Sequence, residues 1–260
     1  MISALDAGAA LNTLMLAAPR IAAAFLILPI LSREDAPPLV RNTIYVALAI
    51  AVTPFVSQAA KVPPDFVPWV GLIVKEIFVG AVIGFSFAAV LWAVSMAGDI
   101  IDTKVGTAMA MVVDPLGGQQ TSLSGALLSR FSNYIFLAVG GLTIFLDLLL
   151  GSYAVWPVQA PFPAMDLRGV DYFARGFGAM MTLAFMLAAP AMILMSMIDL
   201  ALGMMNRYAP QLNVLPIAMA LKAWLASLIL LLGLGAFVTV IVRSFDQNRG
   251  LMNVLRALFS

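Results

Sequence analysis

Apolar residues fill five long stretches of this chain, and charges and prolines fall inside those stretches as well as between them. Leu11–Leu31 contains Pro19 and Arg20, Phe66–Gly98 contains Lys75 and Glu76, and Leu123–Leu146 contains Arg130. Phe177–Ile198 contains Pro190 and ends on Asp199, while Val214–Val242 contains Lys222. A shorter run, Thr43–Ala60, adds a sixth. A spanning helix needs about 20 mostly apolar residues, so the pattern predicts five or six hydrophobic helices. A charge at the bilayer centre costs at least ~2.5–3.5 kcal/mol on insertion scales. The internal charges are therefore expected to face protein, water or another subunit.

The polar punctuation is equally regular. Ser32-Arg33-Glu34-Asp35-Ala36-Pro37-Pro38 and Lys61-Val62-Pro63-Pro64-Asp65 bracket the short run and predict a hairpin. Bends are expected at Pro19, Pro29, Pro54 and Pro190. Gly80 and Gly84 form a small-xxx-small pair that admits a second helix at close range. Asp114-Pro115-Leu116-Gly117-Gly118-Gln119-Gln120-Thr121-Ser122 reads as a loop opened by a turn-forming Asp-Pro. Leu123–Leu150 reads as one helix through Gly140-Gly141, and Trp156-Pro157 with Pro161-Phe162-Pro163 as an extended connector. Asn206–Asn213 is a second polar loop, and Arg243–Ser260 a basic amphipathic tail. Ser95-Met96-Ala97-Gly98-Asp99 and Ser196-Met197-Ile198-Asp199 echo each other faintly, which makes a duplication one reading of the chain.

Composition narrows the class. Of 260 residues, 63% are hydrophobic and 10% charged, against about 25% charged in soluble domains. A net charge of +1 gives no basic surface for nucleic acid. The chain has no Cys and no His, which excludes disulfides, thiol chemistry, histidine-ligated haem and a Ser-His catalytic pair. Asp6 precedes every Lys and Arg, so the first run lacks the basic start of a signal peptide and is expected to persist. With six elements both termini share a side, and the positive-inside rule places them in the cytoplasm.

Three constellations could carry chemistry. Asp99 and Asp102 share a helical face, as a proton-transfer pair or an aspartyl protease would need, with Asp199 a distant partner. The bland alternative is a polar helix end that pairs with Lys104 or with another chain. Lys75 and Glu76 point about 100° apart on a helix, so each is expected to need its own partner. An ion relay or a transporter with broken helices around a midplane site is one reading of them, and interchain salt bridges are the other. The same alternatives apply to Arg20, Arg130 and Lys222. The methionines between Met180 and Met205 suit core filling or an adaptable seal.

Asn206-Arg207-Tyr208-Ala209-Pro210-Gln211-Leu212-Asn213-Val214, followed by Met219 and Lys222, resembles a known signature. It is the Ala-Pro-Gln-Leu-Asn-Val-Phe motif, then Pro-x-Lys, of the SctT/FliR family of type III export-gate proteins. Arg20 ahead of Pro29, Ala97-Gly98-Asp99-Ile100-Ile101-Asp102 and Asp114-Pro115 add to the likeness. Ser152-Tyr153-Ala154-Val155-Trp156-Pro157 looks more like the virulence-type branch than the flagellar one. The resemblance runs from about Arg20 to Val242. Leu215 stands where the family commonly has Phe, and Leu221 where it often has Pro before Lys222.

The resemblance implies an all-α, membrane-type fold of long kinked hairpins, a single export-gate domain over residues 1–260. Within it, residues 1–150 would form an SctR-like part and 151–260 an SctS-like hairpin with the basic tail. One copy would join SctR-like and SctS-like subunits in a helical cone, beside SctU-like and SctV-like proteins, and unfolded secreted proteins would be the cargo. The cone would sit in the bacterial inner membrane, largely toward the periplasm. By position, the family's plug falls at about 106–122, with Met109, Met111, Asp114, Pro115, Leu116, Gly117, Gly118, Gln119 and Gln120. Inter-subunit polar contacts are expected of Arg20, Lys75, Glu76, Asp99, Asp102, Arg130, Asp199, Asn206, Gln211, Asn213 and Lys222. No enzyme activity, cofactor or metal is expected.

Overall fold

A computed structural model of the chain describes residues 4–30, 37–56, 66–106, 122–160, 167–209, 211 and 214–248. Among them are seven helices and no strand, as the hydrophobic pattern requires. They are α1 Ala4–Ile27, α2 Pro38–Val56, α3 Phe66–Val105, α4 Leu123–Ala138, α5 Gly141–Val155, α6 Leu167–Tyr208 and α7 Val214–Asn248. Pro38 opens α2, a position where its missing N–H is not needed.

Among the described residues three helices are long and apolar enough to cross a membrane, and four such spans exist if α4 and α5 count as one broken span. α1 and α2 contribute only shorter apolar lengths. The long helices overreach a bilayer: α3 has 40 residues and α6 has 42. At 1.5 Å per residue these are about 60 Å long, twice the ~30 Å hydrocarbon core.

The helix ends agree with some of the prolines and not with others. α1 passes Pro19 but ends at Ile27, ahead of Pro29, α2 ends at Val56, near Pro54, and α6 is continuous through Pro190. A proline removes one helical hydrogen bond, and neighbouring structure can hold the helix together around it. The break comes at Gly140, with φ of 79°, a left-handed conformation that glycine adopts without a Cβ penalty. The predicted single helix from Leu123 to Leu150 is accordingly two. α6 begins at Leu167 and ends at Tyr208. α7 carries Arg243 inside the helix and ends at Asn248, and residues 249–260 of the expected tail lie outside the described residues.

The chain folds as two compact units. One takes residues 1–89, 140–176 and 245–260, and the other 90–139 and 177–244. The boundaries fall within α3, α6 and α7 and at the Gly140 break.

In the first unit, α2 packs on α1 and on α5. Phe25, Phe87, Phe145 and Phe245 make its aromatic centre: Phe145 meets Phe25 and Phe87 edge-on, with centroids 5.1 and 5.3 Å away, and Phe87 stacks on Phe245. Such geometry adds to area burial. Gly80 and Gly84 let α3 lie against the α1 backbone. A Cβ at Gly80 would fall on the Arg20 carbonyl oxygen, and one at Gly84 would lie 2.6 Å from that of Ala24. The small-residue pair thus finds its partner helix within the same chain.

The second unit is held by narrow stripes. Met180, Ala184, Ala188, Ala191 and Met195 are buried along α6, and Ala218, Ala226 and Leu230 along α7. Their spacing of three, four or eight residues marks one helical face, and the small side chains permit close approach.

Candidate functional site

Three polar assemblies stand out from this apolar framework. The first lies in the first unit. Leu16, Ala17, Arg20, Ile21 and Ala24 form the buried face of α1, so helical phase carries the Arg20 guanidinium inward. It meets Glu76 of α3 in a two-pronged contact, Nε to Oε2 at 2.7 Å and Nη2 to Oε1 at 2.9 Å, with both side chains fully buried. Its remaining N–H groups donate to Ser152 Oγ at 3.0 Å and the Trp156 carbonyl at 2.9 Å. The Tyr153 ring lies under the guanidinium, 4.1 Å away, and its hydroxyl donates to the Ala17 carbonyl at 2.7 Å.

Lys75 completes this assembly. Its Nζ lies 2.9 Å from Glu76 Oε1 and donates to the carbonyls of Pro157, Val158 and Ala160 at 2.9, 2.6 and 3.2 Å. Each of the adjacent pair thus has its own partners, Arg20 for Glu76 and three carbonyls for Lys75, and the flexible four-carbon stem of Lys75 also lets it reach Glu76 round the helix. Two cations and one anion leave a formal surplus of one positive charge. The carbonyls that follow the C-terminus of α5 face that surplus, where helical carbonyls carry partial negative charge. Ion pairing and hydrogen bonds thus satisfy a cluster that would be prohibitive in lipid.

The second assembly closes the ends of an interhelical segment. Asp102, in the last turn of α3, is buried. Its Oδ2 accepts from Ser122 Oγ and from the Ser124 backbone N–H, both at 2.8 Å, and its Oδ1 accepts from Ser124 Oγ at 2.5 Å. Ser122 also caps α4, accepting from the Gly125 N–H at 2.9 Å. The helices touch at glycines: a Cβ on Gly98 would lie 2.5 Å from the Gly125 nitrogen. Asp99 is exposed, with its carboxylate beside Gly125 and Ser122.

The third assembly joins α6, α7 and the end of α3. Lys222 lies on the buried stripe of α7 and pairs with Asp199, which continues the α6 stripe four residues beyond Met195. Lys222 Nζ also reaches the Lys104 carbonyl, at 3.5 Å.

Of the residues expected to make inter-subunit contacts, Arg20, Lys75, Glu76, Asp102 and Lys222 are therefore buried with partners in their own chain. Asp99, Arg130, Asp199, Asn206 and Gln211 are exposed. Asn213 and the plug residues Met109, Met111, Asp114, Pro115, Leu116, Gly117, Gly118, Gln119 and Gln120 lie outside the described residues. Ser122, Ser124, Ser152 and Tyr153 were not singled out as site residues. Ser122, a cap type just ahead of an apolar run, carried a readable signal.

The family model described as bacterial export proteins, family 1, matches residues 11–248. The chain belongs to that family. Within this export family it is 39% identical to the Yop proteins translocation protein T of Yersinia pestis over 223 residues, 85% of each chain. It is 35% identical to the secretion system apparatus protein SsaT of Salmonella typhimurium over 211 residues, 80% of this chain and 81% of that one. It is 29% identical to the flagellar biosynthetic protein FliR of Bacillus subtilis over 240 residues, 92% of each. The order of identities places this export protein with the virulence-type branch of the SctT/FliR family, as the Ser152–Pro157 segment implied. With its three long apolar helices, it is a membrane protein.

Proposed function

We propose that the chain is a structural and gating subunit of the export gate of a type III secretion system in the bacterial inner membrane. Its similarity to a Yop translocation protein along 85% of both chains carries this reading. One copy assembles with SctR-like and SctS-like subunits toward the periplasmic side, next to SctU-like and SctV-like proteins, and unfolded proteins pass through the resulting pore. Residues 1–150 correspond to the SctR-like part and 151–260 to the SctS-like hairpin. The segment at about 106–122 plugs the closed pore. Its Gly-, Gln- and hydroxyl-rich sequence suits a plug, because no large aromatic anchors it in place.

The polar groups exposed toward other subunits are Asp99, Arg130, Asn206 and Gln211, together with Asp199, which is also paired with Lys222. Arg20, Lys75 and Glu76 serve instead as an internal latch, which argues against a stand-alone transporter that uses them as an ion path. Deletion of Asp114–Gln120 tests the plug. Co-purification with the partners should be unchanged, while single-channel conductance of the reconstituted complex should rise. Wild-type conductance in the deleted complex would overturn the plug assignment.

A further inference from the structure

We propose that the outward face of α4 is one half of a two-helix seam, and that the other half is a helix of a different polypeptide with a carboxylate opposite Arg130. α4 has two ordered faces. Gly125, Leu128, Ser132, Ile135 and Phe136 are buried within its own chain. On the opposite side stand Leu123, Leu127, Arg130, Tyr134 and Leu137, all exposed. Their spacing runs four, three, four, three, so at 3.6 residues per turn they fall within an arc of about 80°. All the remaining residues between Leu123 and Leu137 are buried or half-buried. Exposure therefore follows one line, with the 3.5-residue repeat on which helices pack knobs into holes.

The charge decides what covers this line. Arg130 sits at its middle, between Leu127 and Tyr134, and has no ion-pair partner among the described residues. Lipid is a poor occupant: long cations snorkel to the interface from helix ends, and Arg130 is half-way along α4. A second copy is a poor occupant too. Two-fold pairing of the same surface, parallel or antiparallel about its centre, sets Arg130 against its own counterpart. A foreign helix with apolar residues at the same spacing and an Asp or Glu at the centre meets every demand. The planar guanidinium accepts a two-pronged carboxylate contact, and Tyr134 offers an apolar ring with a polar tip, a type enriched at interfaces. The seam presupposes the assembly proposed above and specifies what Arg130 meets there.

The test uses the full-length chain in bacteria that make the whole secretion apparatus. A photo-crosslinking residue replaces Leu127 or Tyr134, on the line, or Ser129 or Phe131, beside it. Adducts should form several-fold more from 127 and 134 than from 129 and 131. Mass spectrometry of the joined peptides should place both adducts on one helix of a different polypeptide, with an Asp or Glu between the two points of attachment. Adducts with lipid, with a second copy of this chain or with a segment that lacks the acid overturn the proposal, as do equal yields on and off the line. Charge is read by co-purification of that partner. Arg130→Glu should reduce its recovery about tenfold or more, Arg130→Lys much less, and reversal of the partner's acid to Lys should restore recovery with Arg130→Glu. Unchanged recovery with Arg130→Glu overturns the charge pairing, and where that variant is poorly made, restoration by the reversed partner decides. Adducts of the expected kind on a polypeptide outside the export apparatus uphold the seam and sink the gate assembly.

Discussion

Glu76 is one carboxylate between two cations, and none of the three side chains sees solvent to any useful degree. Its Oε1 alone receives Arg20 Nη2 and Lys75 Nζ, each at 2.9 Å. Take away its charge and Arg20 and Lys75 face each other across a neutral group. Removal of one partner from a buried ion pair typically costs about 3–5 kcal/mol. Glu76→Gln should therefore lower the melting temperature of the purified complex and reduce the yield of assembled gate. Secretion per assembled complex should stay near normal, because the carboxylate positions the Trp156–Ala160 turn and touches no cargo. A normal melting temperature with abolished secretion would restore the ion-path reading of this cluster.

At the scale of the element, glycine position decides how closely α3 can lie on α1. Gly71 and Gly80 occupy the same helix and differ in surroundings. A Cβ at Gly71 meets nothing within 4 Å, whereas one at Gly80 lands on the Arg20 backbone. Gly71→Ala should stabilise the protein by about 0.5–1 kcal/mol, the usual gain in a helix interior. Gly80→Ala should destabilise it, because α1 must retreat and the Arg20–Glu76 fork lengthens. Thermal unfolding of both variants in the same complex checks the pair. Equal shifts would mean that the close approach contributes nothing.

For the whole molecule the telling feature is how little of α6 and α7 is covered. Within their most apolar windows only 22% of residues are buried, against 56% for α3. Phe185, Met186, Ile193, Met197 and Leu200 of α6 are exposed, as are Trp224, Leu231 and Leu232 of α7. Surfaces of this extent mark interaction sites on proteins. If subunits cover them, detergent-extracted chain made alone should aggregate, and co-expression with SctR-like and SctS-like partners should give a monodisperse complex by size-exclusion chromatography. A monodisperse chain without partners would count against the assembly.

Much of this protein is written in one dimension. Run length and apolar composition determine that it is all-helical and membrane-type, because a helix is a local structure and an apolar one needs only about 20 residues to declare itself. The Asn206–Val214 motif placed it in its family for the same local reason. The helix break was less legible. Helices end beside Pro29 and Pro54 but run through Pro19 and Pro190, since a helix can be held together around a missing N–H, and the break at Gly140 went unseen because only the backbone reveals a positive φ. Least legible of all were the partners of the charges. Arg20 and Glu76 are 56 residues apart, and Arg20 and Ser152 are 132 apart. Periodicity gave each charge a face but could not say which face it met. Tertiary packing decided that, because a buried cation must find its acceptors wherever the fold brings them.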